Sequence, residues 1–224
     1  MRRLFFLLIL PLLMVSVHAT ETKYVALTFD DGPSGRFTTR LLDGLYDRGA
    51  RATFLLCGYR VEQYPELTQR IFDEGHEIGL HGYSHKTMKG MSRRAIAQEL
   101  LDTEALLPEG CRPVFLRPPG GFLSDPVVQV AEARGLPLLK WNVDPRDWAV
   151  HDSNAVETFV LEKIRDGDVV LLHDLSDSSV DAALAIVDKL LEEDFEFVTV
   201  SELARLRGAK LTPGKEYKSF PRTE

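Results

Sequence analysis

The chain has 224 residues, 44% of them hydrophobic, and a formal net charge of −7, enough for one α/β domain with a substantial core. An acidic chain without a Lys/Arg cluster excludes the ordinary mode of nucleic-acid binding, which depends on neutralising phosphates. A neutral or cationic polymer remains open as a partner.

The chain begins Met1-Arg2-Arg3, followed by a nearly unbroken apolar run from Leu4 to Val15 and then Ser16-Val17-His18-Ala19. A basic start, a short apolar stretch and small residues at the cleavage position describe a secretory signal peptide. The run is 12 residues long, whereas crossing a bilayer takes roughly 20. Residues 1–19 are therefore expected to be removed on export, an uncleaved anchor being the alternative. The expected location is secreted or in the cell envelope, as a monomer without a membrane span. Without Arg2 and Arg3 the charge becomes −9.

From Thr20 onward, short β-rich runs alternate with amphipathic helical stretches. Strands are expected at Tyr24–Phe29, Arg51–Leu56, His76–Leu80, Pro113–Leu116, Pro137–Val143, Asp168–Leu172 and Glu196–Val200. Between them, Leu41, Leu42, Leu45 and Tyr46 share a helical face before Gly49, and Leu67 and Ile71 do so before Gly75. Ile96, Leu100 and Leu107 follow a Ser92 N-cap. Asp125-Pro126 opens a helix that Gly135 closes, and Asn154 with Glu157 fits a capping box. Val180, Leu184, Val187 and Leu191 form the last long stripe. Gly208 to Glu224 reads as a loose tail after a domain spanning residues 20–207. Alternating strands and helices imply βα units around a parallel sheet. Seven units are compatible with an irregular barrel or an open doubly wound sheet, and periodicity alone does not separate the two. Cys57 and Cys111 fall at opposite edges of such a sheet and are expected as free thiols.

The polar residues gather at one edge. Asp30 and Asp31 follow the first strand, His81 and His85 the third, and Arg117 the fourth. Asp144 and Asp147 follow the fifth, and His173-Asp174 the sixth. In parallel α/β folds the loops at that edge converge on one cavity. Asp31-Gly32-Pro33 alone reads equally well as a turn. Two adjacent carboxylates at the end of a buried strand, however, repel each other and lose hydration unless a cation joins them. Asp31 with His81 and His85, four residues apart, is thus a candidate site for one divalent metal ion. His76, His151 and Cys57 are expected to be structural or exposed, and Trp148 fits either core packing or a pocket wall.

Five ordered motifs carry a family resemblance: Thr28-Phe29-Asp30-Asp31-Gly32-Pro33, His81-x-x-x-His85, Arg117-Pro118-Pro119-Gly120-Gly121, Asp144-Pro145-Arg146-Asp147-Trp148 and Leu171-Leu172-His173-Asp174. The chain resembles the polysaccharide deacetylase (NodB-homology) domain of carbohydrate esterase family 4, from about Tyr24 to Leu206. The resemblance implies a distorted (β/α)7 barrel with its site at the C-terminal strand ends. It also implies a hydrolase that removes acetyl groups from a glycan such as peptidoglycan or chitin, or from xylan. Many family members carry an aromatic or charged residue where Gly120 stands, and often an Asn where Leu80 stands.

The roles that follow are those the resemblance implies. Asp31, His81 and His85 would bind one divalent metal ion, zinc first, with cobalt or manganese as alternatives. Asp30 would be the general base, with Arg117 pairing and orienting it. His173 would be the general acid, supported by Asp147. The Gly120 backbone N–H would meet the oxyanion, and Leu171 with Trp148 would wall a small pocket for the acetyl methyl.

Overall fold

The computed structural model describes residues 22–222, so the expected signal peptide lies outside the described residues. In chain order the elements are β1 (Lys23–Asp30), α1 (Gly35–Asp47), β2 (Thr53–Leu56), α2 (Gly58–Gln63), α3 (Pro65–Asp73) and β3 (Glu77–Leu80). Then come α4 (Arg93–Glu104), a 3-10 turn at Pro119–Gly121, α5 (Asp125–Ala133), β4 (Leu138–Leu139), α6 (Asp147–Val150) and α7 (Ser153–Lys163). The chain ends with β5 (Val169–His173), α8 (Asp177–Glu192), β6 (Phe195–Phe197), α9 (Val200–Leu206) and β7 (Glu216–Tyr217).

The central strands are buried on both faces. The last six residues of β1 and all five of β5 are buried, as expected of parallel strands sheathed by helices. The sheet runs β3-β2-β1-β5, all parallel. Single parallel bridges, Leu80 to Leu116, Leu116 to Leu138 and Val143 to Val170, carry the ladder from β3 round to β5. That closure is what makes the sheet a distorted (β/α)7 barrel and not an open doubly wound one. β6 pairs with the first residues of β1, and its Phe197 carbonyl accepts from Arg51 N, which wedges it toward β2.

The distortion has a local cause. Pro113–Leu116 was expected as a strand, yet only Leu116 forms ladder bridges, with Val114 N donating to Ile78 O and Phe115 O accepting from Leu80 N beside it. Pro113, Pro118, Pro119 and Pro137 lack the N–H a ladder needs. Pro137–Val143 likewise shortens to β4 plus the Val143 bridge. Between them the Asn142 side chain adds to the backbone bond from Asn142 N to Val169 O: its Oδ1 accepts from Val169 N at 2.9 Å and its Nδ2 donates to Asp168 Oδ1 at 2.6 Å.

Inside and outside follow strand alternation. Val25, Leu27 and Phe29 pack outward with Leu41, Leu45, Val180 and Val187 of α1 and α8. Ala26 faces inward with Leu55, Phe115, Leu139 and Val169, above Val200, Leu203 and Ala204 of α9. α9 thus plugs the end of the barrel opposite the polar strand ends. Its start carries a capping box, Thr199 with Glu202, so the seventh strand stops before Val200 and not at it. Three other local expectations shift. α7 is capped by Asp152, whose side chain accepts from Asn154 N and Ala155 N, in place of the expected Asn154–Glu157 box. α5 begins at Asp125 with Ser124 as its cap. On α8 the buried stripe runs through Leu190, while Leu191 is 40% exposed.

The segment after Gly208 is not a loose tail. β7 pairs with β4, Phe220 is buried in the inner cluster, and its N–H donates to Gly167 O at 2.7 Å. Cys57 and Cys111 are free, as expected. Burial pushes both thiols up, Cys111 to about 11, so neither is a reactive thiolate. His76 is structural: it is buried, and its Nδ1 accepts from Ala52 N at 3.1 Å.

Candidate active site

Strand register builds the centre of the site. Ala26, Thr28 and Asp30 alternate into the barrel, and β5 is registered so that Thr28 faces Leu171 and Asp30 faces His173. Asp30 and His173 are therefore neighbours at the barrel mouth although 143 residues separate them. Beneath them lies Arg117, fully buried. Its Nη1 donates to Asp30 Oδ1 at 2.5 Å and to Thr28 Oγ1 at 2.9 Å, its Nη2 to Lys140 O at 2.9 Å, and its Nε to Leu139 O at 3.3 Å. A buried guanidinium with four acceptors is a satisfied one, and Asp30 is its single charged partner.

The turn after β1 carries Asp31 at φ 72°, a left-handed conformation uncommon for a residue with a side chain. Gly32 is required next, because a Cβ there would lie 2.5 Å from Asp174 Oδ1. Asp174 is fully buried and accepts from Thr38 Oγ1; burial pushes its carboxyl up to about 6 against that hydrogen bond. The turn thereby aims Asp31 across the mouth. Its Oδ1 lies 3.2 Å from His81 Nε2 and 2.9 Å from His85 Nε2.

His81 ends the β3 side of the barrel, with its N–H donating to Leu56 O. Its Nδ1 sits 2.6 Å from Arg117 O. A carbonyl only accepts, so Nδ1 carries the proton and the neutral ring presents the Nε2 lone pair to Asp31. Two imidazole nitrogens thus converge on a carboxylate oxygen that is buried without a settled donor. Positive charge is called for at that point. One divalent cation satisfies all three atoms at once. The three donors lie within 4.8 Å of one another, and the set fits a divalent metal ion. Burial raises the Asp31 carboxyl, but the neighbouring imidazoles of His81 and His85 outweigh it and hold Asp31 well below the usual carboxylate range.

On the β5 side, Asp147 opens α6 and is 1% exposed. Its Oδ2 accepts from His173 N and its Oδ1 meets His173 Nδ1, each at 2.9 Å. Burial alone would lower the His173 imidazole; hydrogen bonding and charge from Asp147 overcome it and raise the ring to about 9. The sharp turn into α6 is made by Arg146 at φ 56°.

These groups share one cavity of about 380 Å³, lined by Asp30, Asp31, His81, His85 and His173 together with Gly120, Leu171 and Trp148. Every residue given a catalytic, ligand or pocket role from the sequence is at this mouth or, for Arg117 and Asp147, directly behind it. Gly120 lies on the 3-10 turn at φ 68°, and Lys140 Nζ donates to Gly121 O at 2.6 Å to hold that turn over the barrel. Trp148 is 53% exposed and Leu171 is buried, so they form an outer and an inner wall. Asp144, expected at this edge though given no chemical role, lines the cavity too, and so does Trp141, which the sequence did not single out. Trp141 was legible by alternation, being two residues beyond the inward Leu139; its ring lies 5.3 Å from the Arg117 guanidinium carbon.

Comparison with known proteins agrees with this architecture. The sequence model of the family described as Polysaccharide deacetylase matches residues 18–139. The chain is 36% identical over 208 residues to the peptidoglycan-N-acetylglucosamine deacetylase PgdA of Listeria monocytogenes, covering 92% of this chain but 43% of that protein. A Bacillus cereus peptidoglycan-N-acetylglucosamine deacetylase is 38% identical over 191 residues, with 83% of this chain and 90% of that one covered. The structure of a family 4 acetyl xylan esterase from Clostridium thermocellum, in complex with a cobalt ion, superposes with a TM-score of 0.82 at 33% identity, covering 89% of this chain and all of that one. The chain spans less than half the length of the Listeria relative. With the family model matching more than half of the sequence, and with the barrel and its mouth arranged as described, the chain belongs to the polysaccharide deacetylase family.

Proposed function

We propose that the chain is a metal-dependent hydrolase that removes N-acetyl groups from N-acetylglucosamine-type units of an extracellular glycan, peptidoglycan or a chitin oligosaccharide. The observation that carries this reading is the β1–β5 register, which sets Asp30 beside His173 over the cavity that Asp31, His81 and His85 also line. The names of the Listeria and Bacillus relatives support peptidoglycan as the substrate class and an extracytoplasmic place of work.

Asp31, His81 and His85 hold the ion, zinc in this assignment, with cobalt or manganese able to replace it. When bound, such an ion acidifies water and polarises the acetyl carbonyl. Asp30 Oδ1 is engaged by Arg117, so Oδ2 takes the proton from the attacking water. Arg117 keeps Asp30 ionised and oriented. The Gly120 N–H donates to the oxyanion as the carbonyl carbon becomes tetrahedral, a contribution of about 3–4 kcal/mol where such a donor has been removed. His173 Nδ1 is committed to Asp147, leaving Nε2 to protonate the sugar nitrogen as the C–N bond breaks, releasing acetate and a free amine. Leu171 and Trp148 enclose the acetyl methyl. Glycine at position 120 leaves the rim without a side chain there, which suits a bulky glycan.

The test is acetate release from a panel of chitooligosaccharide, peptidoglycan and acetylated xylan, before and after chelation and after adding zinc, cobalt or manganese. Full activity in chelated protein refutes the metal mechanism, and no acetate from any substrate leaves a non-catalytic glycan-binding protein. A second reading, an O-acetyl esterase on xylan, draws on the Clostridium thermocellum enzyme. It replaces the first if xylan is the preferred substrate.

A further inference from the structure

We infer that Glu99, on α4, is a positioning residue for the His81/His85 pair, acting as a carboxylate clamp on the loop that carries His85; this rests on the metal-site reading above. His81 is held directly, by β3 and by the Arg117 carbonyl. His85 has no such anchor. It lies at φ 56° in a segment without regular structure, and its side chain is 42% exposed. Its Nε2 meets Asp31 Oδ1 at 2.9 Å. Its position therefore depends on residues 82–84.

Two of those residues, Tyr83 and Ser84, are fastened by Glu99. Oε2 accepts from Tyr83 N at 2.8 Å and from Ser84 N at 2.7 Å, and Oε1 accepts from Ser84 Oγ at 2.8 Å. Two successive backbone N–H groups aimed at one carboxylate oxygen form a small anion nest, and hydrogen bonds to an ionised acceptor are the strong ones. Gly82, at φ 81°, brings the loop so close that a Cβ there would lie 3.4 Å from the same Oε2 and 3.2 Å from Met88 Cε. On the other side Gly58 N and Tyr59 N donate to the carbonyls of Gly82 and Tyr83. The N-terminus of α2 thus holds the loop's carbonyls while Glu99 holds its N–H groups, and His85 follows directly. α4 itself is anchored in the core by Ile96 and Leu100, so the clamp stands on a rigid element.

The experiment measures zinc affinity by chelator competition in the full chain for wild type, Glu99→Ala, Glu99→Asp and Glu99→Gln, with the thermal transition of each chelated protein recorded beside it. Loss of a residue that orients a ligand typically weakens metal affinity about 10–100-fold, and that range is expected for Glu99→Ala. Glu99→Asp, one methylene shorter, should also weaken zinc binding while preserving charge and helix; it answers the question if the alanine variant fails to fold. Glu99→Gln should stay near wild type, because its amide oxygen accepts both backbone N–H groups and its NH2 donates to Ser84 Oγ. Zinc affinity unchanged in both the alanine and aspartate variants overturns the clamp and leaves the metal site standing. Wild-type protein that binds no divalent ion overturns the metal reading itself, and the clamp with it.

Discussion

Replacing Asp147 with Asn tests the acid half of the site most directly. Asp147 makes two contacts to His173, at the backbone N–H and at Nδ1, and raises the imidazole from its ordinary 6.5 to about 9 in spite of burial. At about 1.4 kcal/mol for each tenfold change in the proton equilibrium, that preference for the protonated ring corresponds to roughly 3 kcal/mol. The direction for activity follows from the role. A general acid must be protonated, so its contribution is present below its pKa and is lost as pH rises through it. A divalent ion nearby draws the ring down somewhat, in wild type and variant alike. In Asp147→Asn the amide can still accept the backbone N–H, but it no longer supplies charge, and burial then lowers the ring against the charges of Asp30 and Asp31 alone. The alkaline limb of kcat/KM should move down by at least one pH unit. Above the wild-type limb, at pH 9 to 10, kcat should fall by about tenfold for each unit of that displacement. The assay is zinc-saturated acetate release from chitooligosaccharide between pH 5 and 10. An unmoved alkaline limb in the variant refutes the assignment of His173 as the titrating acid.

Three other changes probe separate parts of the architecture. Asp30→Asn should abolish acetate release while leaving bound zinc at wild-type stoichiometry, since Asp30 Oδ1 pairs with Arg117 and not with the ligand set; loss of zinc would reassign it as a ligand. Arg117→Met strips the buried Asp30 carboxylate of its charged partner and should cost about 3–5 kcal/mol in urea denaturation; a loss under 1 kcal/mol would mean that Thr28 and solvent suffice. Phe220→Ala, in the buried C-terminal segment, should lower stability by about 3–5 kcal/mol with kcat intact, whereas a loose tail would give no change.

The elements legible in the sequence were those whose pattern is local. β1, β2, β3 and β5 each fall within two residues of their expected bounds, because a parallel strand covered on both faces is written as a continuous apolar run. The donors were legible for a related reason. A carboxylate or imidazole directly after such a run has one place to go, the mouth. Elements under competing local rules were read less well. Pro113–Leu116 has strand composition, but the prolines that flank it cut its ladder to single bridges at Leu116, and Thr199-x-x-Glu202 begins a helix where β composition still runs on. β7 was not legible at all. Its two residues pair because β4 has a free edge there, and that edge is a property of the assembled barrel.

The sequence by itself determined the strand–helix alternation, the identity of the donors and the end of the strands at which they lie, because each is set within a few residues of chain. Tertiary structure alone decided that the sheet closes, since closure rests on three single bridges between segments far apart in sequence. It also decided the register that seats Asp30 opposite His173. The same is true of the lone pair of His81, which points at Asp31 only because the carbonyl of Arg117 claims its other nitrogen. Glu99 belongs with these, as a helical glutamate that acquires its role only when α4 packs beside the loop of His85. Residue type and strand end come from local chain preference, whereas distances between donors come from long-range packing.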